Sequence, residues 1–159
     1  MRLKTTRQAG FSLLELIITL GIMAILVGAI VPITRQTIKR EKEIELKRNL
    51  RDIRQAIDRY HYDCEQGVID GIEVRELGAM CYPPKLDILV DGVKRKGTNN
   101  IKRYLRRIPS DPFTGKPEWG QRAVEDDPTS TSWGGKNVYD VYSQSEETPL
   151  NGKGKYKDW

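Results

Sequence analysis

At 159 residues, 38% hydrophobic and 31% charged, the chain has room for one modest globular domain and no large core. Its 27 Lys and Arg against 22 Asp and Glu give a net charge of +5, but Arg2, Lys4 and Arg7 supply three of those charges within the first ten residues, which hold no acid. The remainder is close to neutral, so the basic balance does not imply a nucleic-acid partner. It reads instead as a positive-inside signal.

Residues 11–33 follow as an apolar run with one charge, Glu15. As a helix these 23 residues would be about 35 Å long, against a hydrocarbon core of about 30 Å. A secretory signal has a shorter apolar region with a small-residue cleavage site after it. Here the run is longer and the small residue, Gly10, precedes it, so a cut at Gly10 would leave the helix on the mature chain. Pro32 removes a backbone hydrogen bond near the end of the run and is expected to kink or loosen the helix there. Gly21 and Gly28 weaken it further or permit close approach of another helix.

The sequence Gly10-Phe11-Ser12-Leu13-Leu14-Glu15, behind a basic leader and ahead of the apolar run, resembles the processing motif of type IV pilins and of the pseudopilins of type II secretion. The resemblance implies removal of residues 1–10 by prepilin peptidase, a membrane aspartic peptidase that cuts between Gly10 and Phe11 and N-methylates Phe11. Glu15 then becomes the fifth residue of the mature chain. An ionised carboxylate in a bilayer needs a partner, and the new α-amino group of Phe11 in a neighbouring subunit is one, a pairing the resemblance also implies. Snorkelling of Glu15 to the headgroups is the alternative reading. In filaments of this family a proline at the position of Pro32 accompanies a locally melted segment.

From residue 34 to about residue 62 the run is charged and free of Gly and Pro. Leu46, Leu50, Ile53, Ile57 and Tyr60, spaced 4, 3, 4 and 3, line one face of a helix that is nearly continuous over 12–62. Glu43 and Lys47 are spaced for an ion pair. A coiled coil or a globular domain would cover the stripe, and its shortness favours the domain. Beyond the membrane two cysteines, Cys64 and Cys81, lie in an oxidising space that permits a disulfide, with two buried thiols as the alternative. Neither belongs to a CxxC pair, which removes a zinc site.

Within 67–74 an Asp-Gly step signals a hairpin, and 84–90 suggests a short helix closed by Asp91 and Gly92. The basic run Lys94, Arg95, Lys96, Lys102, Arg103, Arg106 and Arg107 suits a solvated face or an acidic neighbour better than nucleic acid. A turn-rich loop at 108–115 precedes two strands, near 118–124 and 137–143, joined by a polar loop at 125–135. Trp159 is expected to dock into the domain.

Tyr82-Pro83-Pro84-Lys85-Leu86, the run from Leu105 through Ile108-Pro109-Ser110-Asp111-Pro112, and the terminal Asp158-Trp159 resemble landmarks of the major (G-type) pseudopilin of type II secretion, while 64–81 departs as an insertion. That resemblance implies a calcium ion in the C-terminal loop, held by two aspartates and backbone carbonyls. The matching positions carry Glu147 and Lys155, and Lys153, Lys155 and Lys157 bring positive charge where calcium needs oxygen ligands. No metal or cofactor is therefore expected, Asp158 notwithstanding, and packing by Tyr156 and Trp159 stands in its place.

The expected architecture is α+β and pilin-like, a long N-terminal helix packed on a small antiparallel sheet. Its parts are a leader (1–10), a transmembrane and assembly helix (11–33), an amphipathic helix (34–62) and a periplasmic domain (63–159). The resemblance implies a structural subunit of a type II secretion pseudopilus. Its partners would be further copies of itself, minor pseudopilins, the inner-membrane assembly platform and prepilin peptidase. It would be held in the bacterial inner membrane and polymerise into a periplasmic filament. A major or minor pilin of a type IV pilus, serving adhesion, motility or DNA uptake, is the alternative, and a monomeric anchored binding module would make Glu15 dispensable. An enzyme has no support: His61 falls on a helix, and Ser143 and Ser145 lack a partner base.

Overall fold

The computed structural model describes residues 10–69 and 80–159, with the backbone alone of residues 29–34. The chain divides into two compact units, Met1–Lys39 and Arg40–Trp159. One helix, α1 (Leu13–Glu65), contributes to both. The basic leader and most of the hairpin expected within 67–74 lie outside the described residues.

In the first unit α1 opens on Ser12. Its hydroxyl accepts the Leu14 N–H at 3.3 Å, satisfying one of the helix's otherwise unpaired N-terminal donors, and its carbonyl accepts the Leu16 N–H at 3.1 Å as the first helical bond. The apolar side chains from Phe11 to Val27 are all exposed. Among the described residues no helix is long and apolar enough to cross a membrane. The run expected to span, 11–33, continues into the residues described by backbone alone. That backbone is helical through position 32, and the side chain of Pro32 lies outside the described residues.

In the second unit α1 supplies the floor of the core. Leu46, Leu50, Ile53, Ile57 and Tyr60 are all buried, joined by Ala56 and Cys64 on the same face. Leu86, Leu89, Trp119, Val138, Val141 and Tyr156 close over them. The stripe therefore faces a globular domain, as its shortness suggested. The helix ends in a glycine cap: Gly67 takes φ +65°, the Val68 N–H reaches the Asp63 carbonyl at 2.9 Å, and the Gly67 N–H reaches that of Cys64 at 3.0 Å. Cys64 and Cys81 form a disulfide, with Cα atoms 5.5 Å apart, which settles the choice against free thiols.

The expected helix at 84–90 is shorter and later, α2 (Ile88–Asp91). Its approach is made of three-residue turns, Ile88 N–H to Lys85 and Leu89 N–H to Leu86, and Gly92 at φ +85° closes it. Among the described residues the small sheet is two separate antiparallel pairs. Strands β1 (Val93–Lys94) and β2 (Ile101–Lys102) form a hairpin not anticipated from the sequence. Strands β3 (Gly120–Arg122) and β4 (Asp140–Tyr142) pair with Gly120 opposite Tyr142. The Tyr142 ring occupies the space a side chain at position 120 would need, since an added Cβ would lie 2.2 Å from it. The Arg122 guanidinium lies over that ring at 4.1 Å. The polar loop between β3 and β4 is pinned by Asp126, whose carboxylate accepts the Ala123 and Gly134 N–H groups at 2.7 and 3.0 Å.

Candidate processing and assembly segment

Gly10, Phe11 and Ser12 precede the first helical turn and are exposed, so the bond between Gly10 and Phe11 lies in non-helical chain. A peptidase must hold its substrate extended, and a helix that begins at Leu13 leaves that stretch available. Glu15 is exposed in the first turn of α1. With Ser12 as the cap, Glu15 occupies the third helical position, where the positive end of the helix dipole favours a carboxylate. The Ser-x-x-Glu spacing is a helix-start signal that the sequence reading passed over. Around Gly21 and Gly28 an added Cβ would meet nothing within 4 Å, so both glycines present open surface.

The C-terminal segment closes the second unit over α1. Tyr156 is fully buried, stacks on Phe113 at 3.9 Å and meets Trp159 edge-on at 5.0 Å. Its hydroxyl donates to Glu43 at 2.9 Å, and burial together with that carboxylate pushes the phenol well above its ordinary range. Glu43 also accepts the Leu150 N–H at 2.7 Å, and the Lys47 ammonium sits 4.4 Å above the Trp159 ring. Glu43 and Lys47, spaced for pairing with each other, are thus both engaged by the C-terminal segment. Arg54 completes the contact, donating to Asp140 at 2.7 Å and to the Val141 and Trp159 main-chain oxygens at 3.1 Å. Trp159 docks as expected.

In the loop before the 3-10 turn Tyr156–Asp158, Glu146 receives the ammonium groups of Lys155 and Lys157, the latter at 2.9 Å. These two cations hold the Glu146 carboxyl down at about 2. Among the described residues no cluster of His, Cys, Asp and Glu is arranged to hold a metal ion.

At the far end of α1, Asp63 accepts from Lys102 at 2.5 Å and from the Tyr104 hydroxyl at 2.8 Å. Burial raises the Asp63 carboxyl, but those hydrogen bonds and the Lys102 charge outweigh it and the net shift is downward. Lys102 is thus held within the fold, whereas Lys94, Arg95 and Lys96 at the hairpin tip are exposed. His61, the single histidine, stacks on Tyr82 at 4.1 Å and lies 3.4 Å from Glu65.

Residues 5–31 match a family model described as the prokaryotic N-terminal methylation motif. No curated protein and no solved structure matches the chain. The match spans Gly10, Phe11 and Glu15, and it supports a type IV pilin-like subunit, processed by prepilin peptidase and built into a pilus-like assembly.

Proposed function

We propose that the chain is a structural subunit of a type II secretion pseudopilus, stored in the inner membrane by residues 11–33 and polymerised into a periplasmic filament that drives protein export. The N-terminal methylation motif at 5–31, set against an exposed apolar helix, carries this reading. Prepilin peptidase removes residues 1–10 and methylates Phe11. The amine so created on one subunit neutralises Glu15 of the next, so the cost of a carboxylate in lipid is relieved on assembly. The subunit works with minor pseudopilins and an inner-membrane platform, and its role is mechanical rather than catalytic. The Asp111-Pro112 turn and the terminal Asp158-Trp159 docking support the secretion assignment over a pilus.

Mass spectrometry of the mature chain should show loss of residues 1–10 and a methyl group on Phe11. Replacing Glu15 with Ala should leave membrane insertion intact and abolish filaments. An intact leader, or normal filaments from Glu15→Ala, would overturn the proposal. Deleting the gene separates the two filament types. Lost export with retained surface pili supports the pseudopilus, whereas lost pili with retained export shows a type IV pilin.

A further inference from the structure

The C-terminal loop is where the family resemblance implies calcium, and its oxygen atoms can be tested as a donor set. Calcium takes about six to eight oxygens at roughly 2.3–2.6 Å. Here several of the oxygens already accept from the protein's own donors. The Ser145 and Glu147 carbonyls accept the Lys157 and Tyr156 N–H groups at 3.2 and 3.1 Å. The Asp158 carboxylate accepts the Lys155 N–H at 2.8 Å, and the Ser145 hydroxyl accepts the Glu147 N–H at 3.3 Å. Both oxygens of Glu146 face ammonium groups, one on Lys155 and one on Lys157. A divalent cation entering this loop would meet two fixed positive charges, and among the described residues no group of carboxylates converges to hold it. The residues do not fit calcium.

We propose that Glu146, Lys155 and Lys157 form an internal ammonium clasp that cross-links the loop after β4 to the terminal turn, so that this loop is closed without a divalent cation. The geometry supports the exchange. A bound cation would join the two segments by attracting oxygens from both. The clasp joins them with the charges reversed in origin, the cations being carried on the terminal turn and the anion on the loop. The main-chain bonds between Ser145 and Lys157 and between Glu147 and Tyr156 lie directly beside it, so the ion pairs protect two amides whose exchange can be read. Lys157 is raised above its ordinary value by Glu146, the reciprocal of the lowering seen on the carboxyl. Both charges lie near solvent, so salt should screen the clasp. The clasp goes beyond the filament reading, and the two fail separately, since its test reads stability and amide exchange rather than assembly.

The test uses the full chain in detergent. Its thermal midpoint should be the same in millimolar CaCl2 and in EGTA. Glu146→Gln should speed amide exchange at Tyr156 and Lys157 by about twofold to tenfold, the scale of exposed ion pairs. Molar NaCl should reproduce that acceleration in the parent chain and add little to Glu146→Gln. Lys155→Arg and Lys157→Arg, which keep the charge, should retain protection. A saturable rise of the midpoint with CaCl2 would overturn the proposal. So would unchanged exchange at Tyr156 and Lys157 in Glu146→Gln.

Discussion

The Ser143 hydroxyl donates to the Asp111 carboxylate at 2.6 Å, and neither residue has exposed surface. Asp111 also accepts the Phe113 N–H at 2.8 Å, while the Asp111 N–H and carbonyl bracket the turn through Lys116 and Gly115 at 2.9 and 2.7 Å. Ser143 in turn accepts the Ser145 N–H at 3.1 Å. One buried carboxylate therefore fixes the turn after Pro109 and the exit of β4 together. Asp111→Ala should lower stability by about 2–3 kcal/mol, because it strands a buried hydroxyl and a half-buried N–H. Ser143→Ala should cost less. Urea unfolding measures both, and an Asp111→Ala midpoint equal to that of the parent would show the pair to be dispensable.

The disulfide closes a loop with 17 residues of sequence separation, anchored in the end of α1. Replacing Cys64 and Cys81 together with Ser should cost about 3 kcal/mol by the chain-entropy relation. Reductant should lower the parent's thermal midpoint and leave that of the double variant where it is.

Gly120→Ala places a methyl group against the Tyr142 ring, in the space between β3 and β4 that has no room for it. A loss of about 1–3 kcal/mol follows from overpacking. Gly67→Ala faces open space and meets only the cost of positive φ, about 1–2 kcal/mol. A Gly120→Ala chain with the parent's urea midpoint would show the steric account of Gly120 to be wrong.

Asp63 gives the sign of one pH dependence. Its carboxyl is lowered on folding from an ordinary 3.8, with Lys102, Tyr104 and Arg95 around it. Its contribution is complete above that ordinary value and is lost as pH falls below it. Asp63→Asn should remove that part of the acid sensitivity, so the stability difference from the parent narrows as the pH drops below about 4. A difference that stays constant between neutral pH and pH 3 would rule the linkage out.

Local periodicity made much of this fold legible. The 4, 3, 4, 3 stripe from Leu46 to Tyr60 marked the buried face of α1, and the strand expected near 137–143 contains β4. The strands are shorter than expected because Asp126 turns the chain back immediately after β3. The β1–β2 hairpin went unseen because each arm carries one apolar residue, Val93 or Ile101, within a basic run. Gly97, at φ +75° in the turn, was the available signal. The ion clasp was not legible either, since Glu146 lies 9 and 11 residues from its lysines and no helical or strand period joins them. Glu43 and Lys47 show the opposite failure. Their spacing is right for a local pair, and tertiary contacts with Tyr156, Leu150 and Trp159 take precedence.

Those contacts carry a temporal consequence. Glu43 is joined to Leu150 and Tyr156, and Arg54 to Trp159, across separations of 107, 113 and 105 residues. Part of the cover over α1 is therefore supplied by residues more than 100 positions away, and closing such distant contacts is slow. Truncation before Tyr156 should leave the stripe partly uncovered and raise its susceptibility to proteases. Docking of Tyr156 and Trp159 is thus the step by which residues far along the chain cover the start of the buried stripe.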